Sequence, residues 1–354
     1  MDKLKVGVIG CGVIGSRNLM DAQACELIEV VAAADLRVER REWAAQQGVP
    51  RVYEDGRDLL DNDEEVEAVI IAFPAGTRTA MVLRAFARGK HALIEKPIAR
   101  NAREVQTMIQ RRGQLTAGCF SGRYRACDSA EVATRFVASG ALGELRELHL
   151  RAFIAAGPPT GNVPPPWRES FAMNAGGILT NWSCYDLDYL LGIAGWSFVP
   201  RVALAQFWPC AEQFRHFVAP ESDADAHYAG FVLGEGGTIL TVERGEFAAT
   251  ASRSAWEIIG SKGALRLTML ASGERQIIHD DGSSSAEGTV TRTLWEGDDR
   301  AGSGNPRLIE DFARAALEGR QPITSLENSL VIARITDAIY ASALSGAAVE
   351  IPAD

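Results

Sequence analysis

The chain reads as an α/β protein in two parts: a parallel sheet wound by helices on both faces, then a second domain built on a mainly antiparallel sheet. Three observations predict this. Apolar strand-like runs alternate with helix-compatible stretches from Leu4 to about Phe120, the alternation then gives way to segments of period two, and a G-x-G-x-x-G spacing stands directly after the first apolar run. The grammar changes near Gly122, so we set domains at 1–121 and 122–354. At 354 residues the chain is long enough for two cores of ordinary size.

The first strand, Leu4 to Ile9, stops at Gly10, and Gly10, Gly12 and Gly15 complete the glycine spacing before a helix that starts at about Ser16. In such a corner Gly10 permits the sharp turn, Gly12 lets backbone approach a pyrophosphate and Gly15 lets the helix pack close to the strand. The N–H groups at the helix start face the phosphates, which makes Gly10, Cys11, Gly12, Val13, Ile14 and Gly15 a candidate dinucleotide loop. The second strand, Leu27 to Ala34, ends at Asp35, about twenty residues past Gly15, where a carboxylate can accept hydrogen bonds from an adenosine ribose. That acid repels a 2′-phosphate and favours NAD. Arg37, Arg40 and Arg41 keep NADP possible, since any of them can pair with the extra phosphate.

A helix from Arg37 to Gln47 then stops at Gly48, followed by a short strand Arg51 to Tyr53 and a helical turn Gly56 to Leu60. Val66 to Phe73 is a continuous apolar run of the kind that fills a sheet covered on both faces, and Pro74 ends it. A helix Thr77 to Arg88, a strand His91 to Glu95, a helix Asn101 to Arg112 and a strand Leu115 to Phe120 complete the alternation. A sheet so built presents ligands at the carboxyl ends of its strands.

Beyond Gly122 one helix, Asp128 to Ser139, leads into period-2 segments at Glu147 to Phe153, Arg201 to Phe207, Tyr228 to Leu233, Thr238 to Val242, Ala255 to Gly260, Leu265 to Met269 and Thr289 to Trp295. Glycine pairs at 234–237 and 260–263 signal hairpins. Helices are predicted at Gly177 to Leu191, Arg307 to Leu317 and Ser325 to Leu344. Of two long loops, Asp280 to Gly288 is a hairpin tip, while Gly157 to Pro166 is stiffened by prolines and leads into Trp167 and Arg168, where it can cover a pocket.

A net charge of −10 argues against nucleic acid or an anionic membrane as the main partner. Three residues precede the first strand and no apolar run reaches membrane-span length, so we expect no leader and a cytoplasmic location. The six cysteines form no C-x-x-C pair and are read as free thiols, and the five histidines form no ligand cluster, so no metal is expected.

Glu95-Lys96-Pro97 stands at a parallel strand end, where a lysine can hydrogen-bond a substrate hydroxyl. With the glycine-rich corner, the run Ala138-Ser139-Gly140-Ala141-Leu142-Gly143-Glu144 before the second sheet, and the Gly176-Gly177-Ile178-Leu179 helix start, this tripeptide resembles the Gfo/Idh/MocA oxidoreductase family along nearly the whole chain. The resemblance implies a Rossmann domain and a C-terminal α+β domain whose large open sheet serves as a dimer or tetramer face. It implies NAD(P)-dependent exchange of hydride with a hydroxyl or keto carbon of a sugar, polyol or related compound, with Lys96 at the reacting carbon.

The family helix usually reads G-G-x-L-x-D-x-G-x-H-x-x-D; here Asn181 stands for the first aspartate and Tyr185 for the histidine, with Asp188 kept. Asn181, Tyr185 and Asp188 lie at helical spacing on one face. Tyr185 becomes the base if the Lys96 ammonium lowers its pKa from about 10 toward neutrality. Asn181 can take no proton and is given substrate orientation, Asp188 substrate binding, and Asp186 a structural role. The resemblance also puts Phe73, Pro74 and Glu95 beside the cofactor and Arg123, Trp167 and Arg168 beside the substrate. The family's T-P-N segment with its downstream histidine is here Phe73-Pro74-Ala75 with Arg78, so the usual side-chain hydrogen bonds are expected to be missing. Two other readings stay open: an NAD-recycling glycosidase- or epimerase-like enzyme with transient oxidation, and a non-catalytic NAD-binding sensor.

Overall fold

A computed structural model describes residues 3–159, 161, 163–270, 274–299 and 304–352. By internal contacts the chain divides into two compact units, Met1–Arg123 with Gly304–Leu330, and Tyr124–Ser303 with Val331–Asp354.

The first unit holds β1 (Leu4–Ile9), α1 (Val13–Ala24), β2 (Ile28–Ala34), α2 (Val38–Gln46), β3 (Arg51–Tyr53), α3 (Gly56–Asn62), β4 (Ala68–Ile71), α4 (Ala75–Ala87), β5 (His91–Ile94), α5 (Ala102–Arg112) and β6 (Ala117–Cys119). Its six strands are all parallel in the order β3-β2-β1-β4-β5-β6, so the winding reverses between β1 and β4. Val6, Val8, Ala32, Ala33, Val69, Ile70 and Ile71 are fully covered, which is why these strands read as unbroken apolar runs. The predicted strand Val66 to Phe73 is trimmed to Ala68–Ile71, and α4 starts two residues before the predicted Thr77 because Pro74 serves as its N-cap.

The second unit contains α6 (Asp128–Ala138), β7 (Leu145–Ala155), α7 (Phe171–Asn174), α8 (Ile178–Ile193), β8 (Pro200–Pro209), β9 (Asp225–Gly234), β10 (Ile239–Ala248), β11 (Arg253–Gly260), β12 (Gly263–Leu267), β13 (Arg275–Asp281) and β14 (Val290–Gly297). With β15 (Val349–Glu350) they form a nine-stranded sheet in the order β14-β13-β12-β11-β7-β10-β9-β8-β15, antiparallel except where β7 runs parallel to β10. The glycine pairs at 234–237 and 260–263 close the β9-β10 and β11-β12 hairpins. β13 is not among the predicted strands; Asp280 and Asp281 belong to it and pair with Thr291 and Val290, which shortens the hairpin tip to 282–289. Its sequence, RQIIHDD, lacks the apolar alternation that marks a strand. In the proline-rich loop, Thr160 and Asn162 lie outside the described residues.

Two helices follow, α9 (Asn305–Glu318) and α10 (Leu326–Ser345). The single divide at 121/122 does not foresee that 304–330 returns to the first unit. There Ser325 bridges Gly118 in antiparallel sense, Cys119 N–H donates to Thr324 O at 3.0 Å and Thr116 Oγ1 to Arg320 O at 2.9 Å, so the segment covers the exposed edge of β6.

α8 packs on the inner face of the large sheet, its Leu179, Leu187, Leu190 and Leu191 among Leu148, Leu150, Val232, Leu240 and Ile258. Gly177 is its N-cap and supplies no side chain; the cap comes instead from Asp225 on β9, whose carboxylate accepts from Gly177 N–H and Leu179 N–H, each at 2.8 Å, and from the Tyr340 hydroxyl at 2.6 Å. The two glycines are required by this approach: a Cβ would lie 2.0 Å from the Tyr340 hydroxyl at Gly176 and 1.9 Å from the Asp225 carbonyl oxygen at Gly177. Asp225→Ala strands two buried N–H groups and leaves the Tyr340 hydroxyl with Thr180 Oγ1 at 3.2 Å, and is expected to lower stability by about 3 kcal/mol or more, with Asp225→Asn losing less. Denaturant titration checks this, and a loss below about 1 kcal/mol in Asp225→Ala contradicts the cap.

Candidate active site

The corner between β1 and α1 is shaped by what its glycines exclude. Gly10 adopts φ +89°, and a Cβ there would stand 2.4 Å from the Ala72 carbonyl oxygen; at Gly15 it would stand 1.7 Å from the Gly10 carbonyl oxygen. At Gly12 the space is open, with the nearest atom, Arg37 Nη2, at 3.7 Å. Gly15 therefore closes the helix on the strand while Gly12 leaves room above the loop. No side chain caps α1, so its first-turn N–H groups face outward, and Val13 and Ile14 stand 79% and 41% exposed at its mouth. Uncapped donors beside uncovered apolar side chains fit a dinucleotide, whose phosphates take the former and whose body covers the latter.

Asp35 ties this loop to the end of β2. Its Oδ2 accepts from Cys11 N–H at 2.7 Å and its Oδ1 from Arg37 N–H at 3.0 Å, with Arg37 Nε at 3.6 Å. Arg41 Nη1 donates to the carbonyls of Asp35 and Leu36. Burial pushes the Cys11 thiol up to about 12, so it stays a neutral packing group.

At the end of β5, Glu95 is 4% exposed and its carboxylate is shared: Oε1 accepts from Asn18 Nδ2 and Oε2 from Lys96 N–H, both at 3.0 Å, and Arg123 Nη2 lies 3.8 Å from Oε1. Asn18 Oδ1 accepts in turn from Asn305 Nδ2 at 2.8 Å. Lys96 itself is half-buried. Phe73 and Pro74 follow β4, and the carbonyl of Phe73 is taken by Arg78 Nε at 2.9 Å. Arg78 is buried, and its guanidinium bonds to backbone carbonyls. Asn18 and Asn305 carry no motif that marks them in advance; Arg78 stands where the family pattern has its downstream histidine, but the spacing does not give its backbone partners.

In the second unit, α8 brings Asn181, Tyr185 and Asp188 to one side, but the helix is buried nearly all round. Tyr185 is 3% exposed, its ring edge-on to Tyr124 at 5.2 Å and to Trp182 at 5.5 Å. Asn181 is 8% exposed. Asp188, expected to bind substrate, is fully buried, and its Oδ1 accepts from Arg125 Nε at 2.8 Å. Asp186 is equally buried, paired with Arg244 Nη1 at 2.9 Å and with Trp256 Nε1 at 3.0 Å, while Arg244 lies 4.4 Å over the Trp182 ring. Trp167 falls in the turn Pro166–Glu169, and its side chain lies outside the described residues. Arg168 in the same turn is half-buried, and its carbonyl accepts from Asn174 Nδ2 at 3.1 Å. Among the described residues no three His, Cys, Asp or Glu side chains are grouped to hold a metal ion, and no helix is long and apolar enough to cross a membrane.

Two family models match the chain: one described as an oxidoreductase family with an NAD-binding Rossmann fold, over residues 4–119, and one described as the GFO/IDH/MocA C-terminal domain, over residues 131–266. Levoglucosan dehydrogenase of Pseudarthrobacter phenanthrenivorans is 24% identical, with 99% of each chain covered. Myo-inositol 2-dehydrogenase of Thermotoga maritima is 26% identical over 53% of this chain and 55% of its own, so the chain spans about half of that relative. The solved structure of levoglucosan dehydrogenase in complex with NADH and L-sorbose covers both chains completely with a TM-score of 0.83 at 21% identity, a likeness of fold.

The glycine geometry separates two substitutions. Gly15→Ala is expected to destabilise the first unit by about 3 kcal/mol or more, because backbone must move to admit the methyl. Gly12→Ala should leave thermal unfolding nearly unchanged yet weaken NADH binding by about tenfold or more, as read by nicotinamide fluorescence. Equal NADH affinity in Gly12→Ala and the parent chain contradicts the assignment of the loop.

Proposed function

The chain belongs to the Gfo/Idh/MocA oxidoreductase family, and from that premise we propose that it is an NAD-dependent dehydrogenase or reductase acting on a hydroxyl or keto carbon of a sugar, polyol or related compound. The observation that carries this reading is the open, uncapped glycine corner beside Asp35, with Lys96 at the end of β5 in the same unit. The named relatives act on levoglucosan and myo-inositol, both small polyhydroxylated molecules, which supports a substrate of that class.

The loop from Gly10 to Gly15 would hold the pyrophosphate, Asp35 with Arg37 the adenosine ribose, and Phe73, Pro74 and Glu95 the nicotinamide end. When bound, the dinucleotide supplies the ring that exchanges hydride with the substrate carbon. Asp35 disfavours a 2′-phosphate, so NAD is the preferred form. Lys96 donates from its ammonium to the reacting oxygen and holds it. Tyr185 takes the proton of the hydroxyl as the phenolate, returning to the phenol, and Asn181, which cannot change charge, orients the substrate through its amide. Arg123, Trp167 and Arg168 are assigned to substrate hydroxyls and ring faces.

We also infer a homodimer through the outer face of the large sheet. There Leu204 pairs with Phe231, Phe231 with Thr241 and Thr241 with His149, a row left facing away from the core, with Leu204 54% and Phe231 42% exposed. The row floors a groove of about 540 Å³.

Lys96→Met should lower turnover by about a thousandfold in a panel of sugars and polyols with NAD and NADP, while NADH binding persists; retained turnover defeats the assignment. Leu204→Asp with Phe231→Asp should yield a folded monomer by analytical ultracentrifugation. An unchanged sedimentation coefficient for that pair removes the sheet face as the interface.

A further inference from the structure

The backbone of Lys96 is held from two sides. On one side the Glu95 carboxylate, itself fixed by Asn18, accepts the Lys96 N–H. On the other, the Arg78 guanidinium, only 3% exposed, donates from Nη1 to the carbonyl oxygens of Glu95 and Pro97, the residues immediately before and after Lys96. The same guanidinium donates from Nε and Nη2 to the carbonyl oxygen of Phe73, beyond the end of β4. One planar fork thus spans the ends of two adjacent strands.

We propose that Arg78 is a positioning residue for Lys96: it fixes the peptides on either side of the lysine to the end of β4, so that the ammonium departs from a set point relative to Phe73 and Pro74. The proposal rests on the reading of Lys96 as the group that holds the reacting oxygen. Lysine is a point charge on a flexible four-carbon stem, and its placement is only as good as the anchoring of its root. A misplacement of about 1 Å at a reacting centre costs about a hundredfold in rate. Arginine suits the anchor because its donors are set in one rigid plane and its charge does not titrate, so the clamp holds across the working pH range. A lysine at 78 carries its three N–H donors on one nitrogen at the end of a flexible stem and lacks the planar fork, and a methionine offers none.

The test compares Arg78→Met and Arg78→Lys with the parent chain in four measurements: thermal unfolding, NADH binding by fluorescence, steady-state kinetics on the best substrate of the panel, and amide hydrogen exchange of the peptide covering 94–99. In Arg78→Met we expect kcat to fall about a hundredfold with KM and NADH affinity within about threefold, faster exchange confined to 94–99, and partial recovery of kcat in Arg78→Lys. A folded Arg78→Met with kcat within about threefold of the parent overturns the proposal. Should Arg78→Met fail to fold, Arg78→Lys decides: lowered kcat with local exchange supports the clamp, and unchanged exchange at 94–99 or opening spread through the first unit overturns it. A parent chain that turns over nothing in the panel defeats the functional reading instead, and the exchange measurement still decides whether Arg78 holds the Lys96 segment.

Discussion

Where a buried parallel strand stops, its last carbonyl and N–H groups lose their ladder partners while still surrounded by side chains, and each left unmade costs about 1–3 kcal/mol. The carboxyl edge of the six-stranded sheet is organised by that constraint. Asp35 takes the Cys11 N–H at the end of β1 and β2, Arg78 takes carbonyls beyond β4 and β5, and Glu95 takes the N–H of its own neighbour. Charged side chains at this edge serve backbone first. The N–H groups at the start of α1 receive no side-chain cap and lie beside the open space at Gly12.

The same constraint recurs in the second unit with helices in place of strands. α8 is enclosed nearly on every side, so its N-terminal N–H groups cannot turn to water, and a carboxylate from β9, 46 to 48 residues along the chain, comes to meet them. The double glycine then follows from sterics rather than from flexibility: Tyr340 and the Asp225 backbone occupy the volume a Cβ would need. Two acids within the helix, Asp186 and Asp188, each have an arginine brought from another element, Arg244 and Arg125. Removing either arginine would take away a cation that faces a buried carboxylate.

Sequence reasoning reached the features whose cause is local. The glycine spacing, the apolar runs of a doubly covered sheet and the hairpin glycines each state a backbone requirement within a few residues, and all three are present as read. It missed the features whose cause is distant. Nothing near Asp225 marks it as a helix cap, nothing near Arg78 marks it as a clamp on residues 17 and 19 positions away, and the link from Asn18 to Asn305 spans 287 positions. The return of 304–330 to the first unit has the same character, since the edge of β6 creates the demand and the supplying segment sits two hundred residues later. Motif register marks Asp188, while its burial against Arg125 is not legible in the spacing.

Burial also accounts for the two departures from the family pattern on α8. A carboxylate at position 181, on a helix that already carries two buried acids with dedicated arginines, would need a third cation or would be driven to its neutral form. Asparagine keeps the same shape and the same acceptor oxygen without that demand. At 185 the tyrosine ring fills an aromatic cluster with Tyr124 and Trp182 that a smaller imidazole would leave partly empty. In the first unit the buried charges serve backbone instead: Arg78 and Glu95 hold the Lys96 segment.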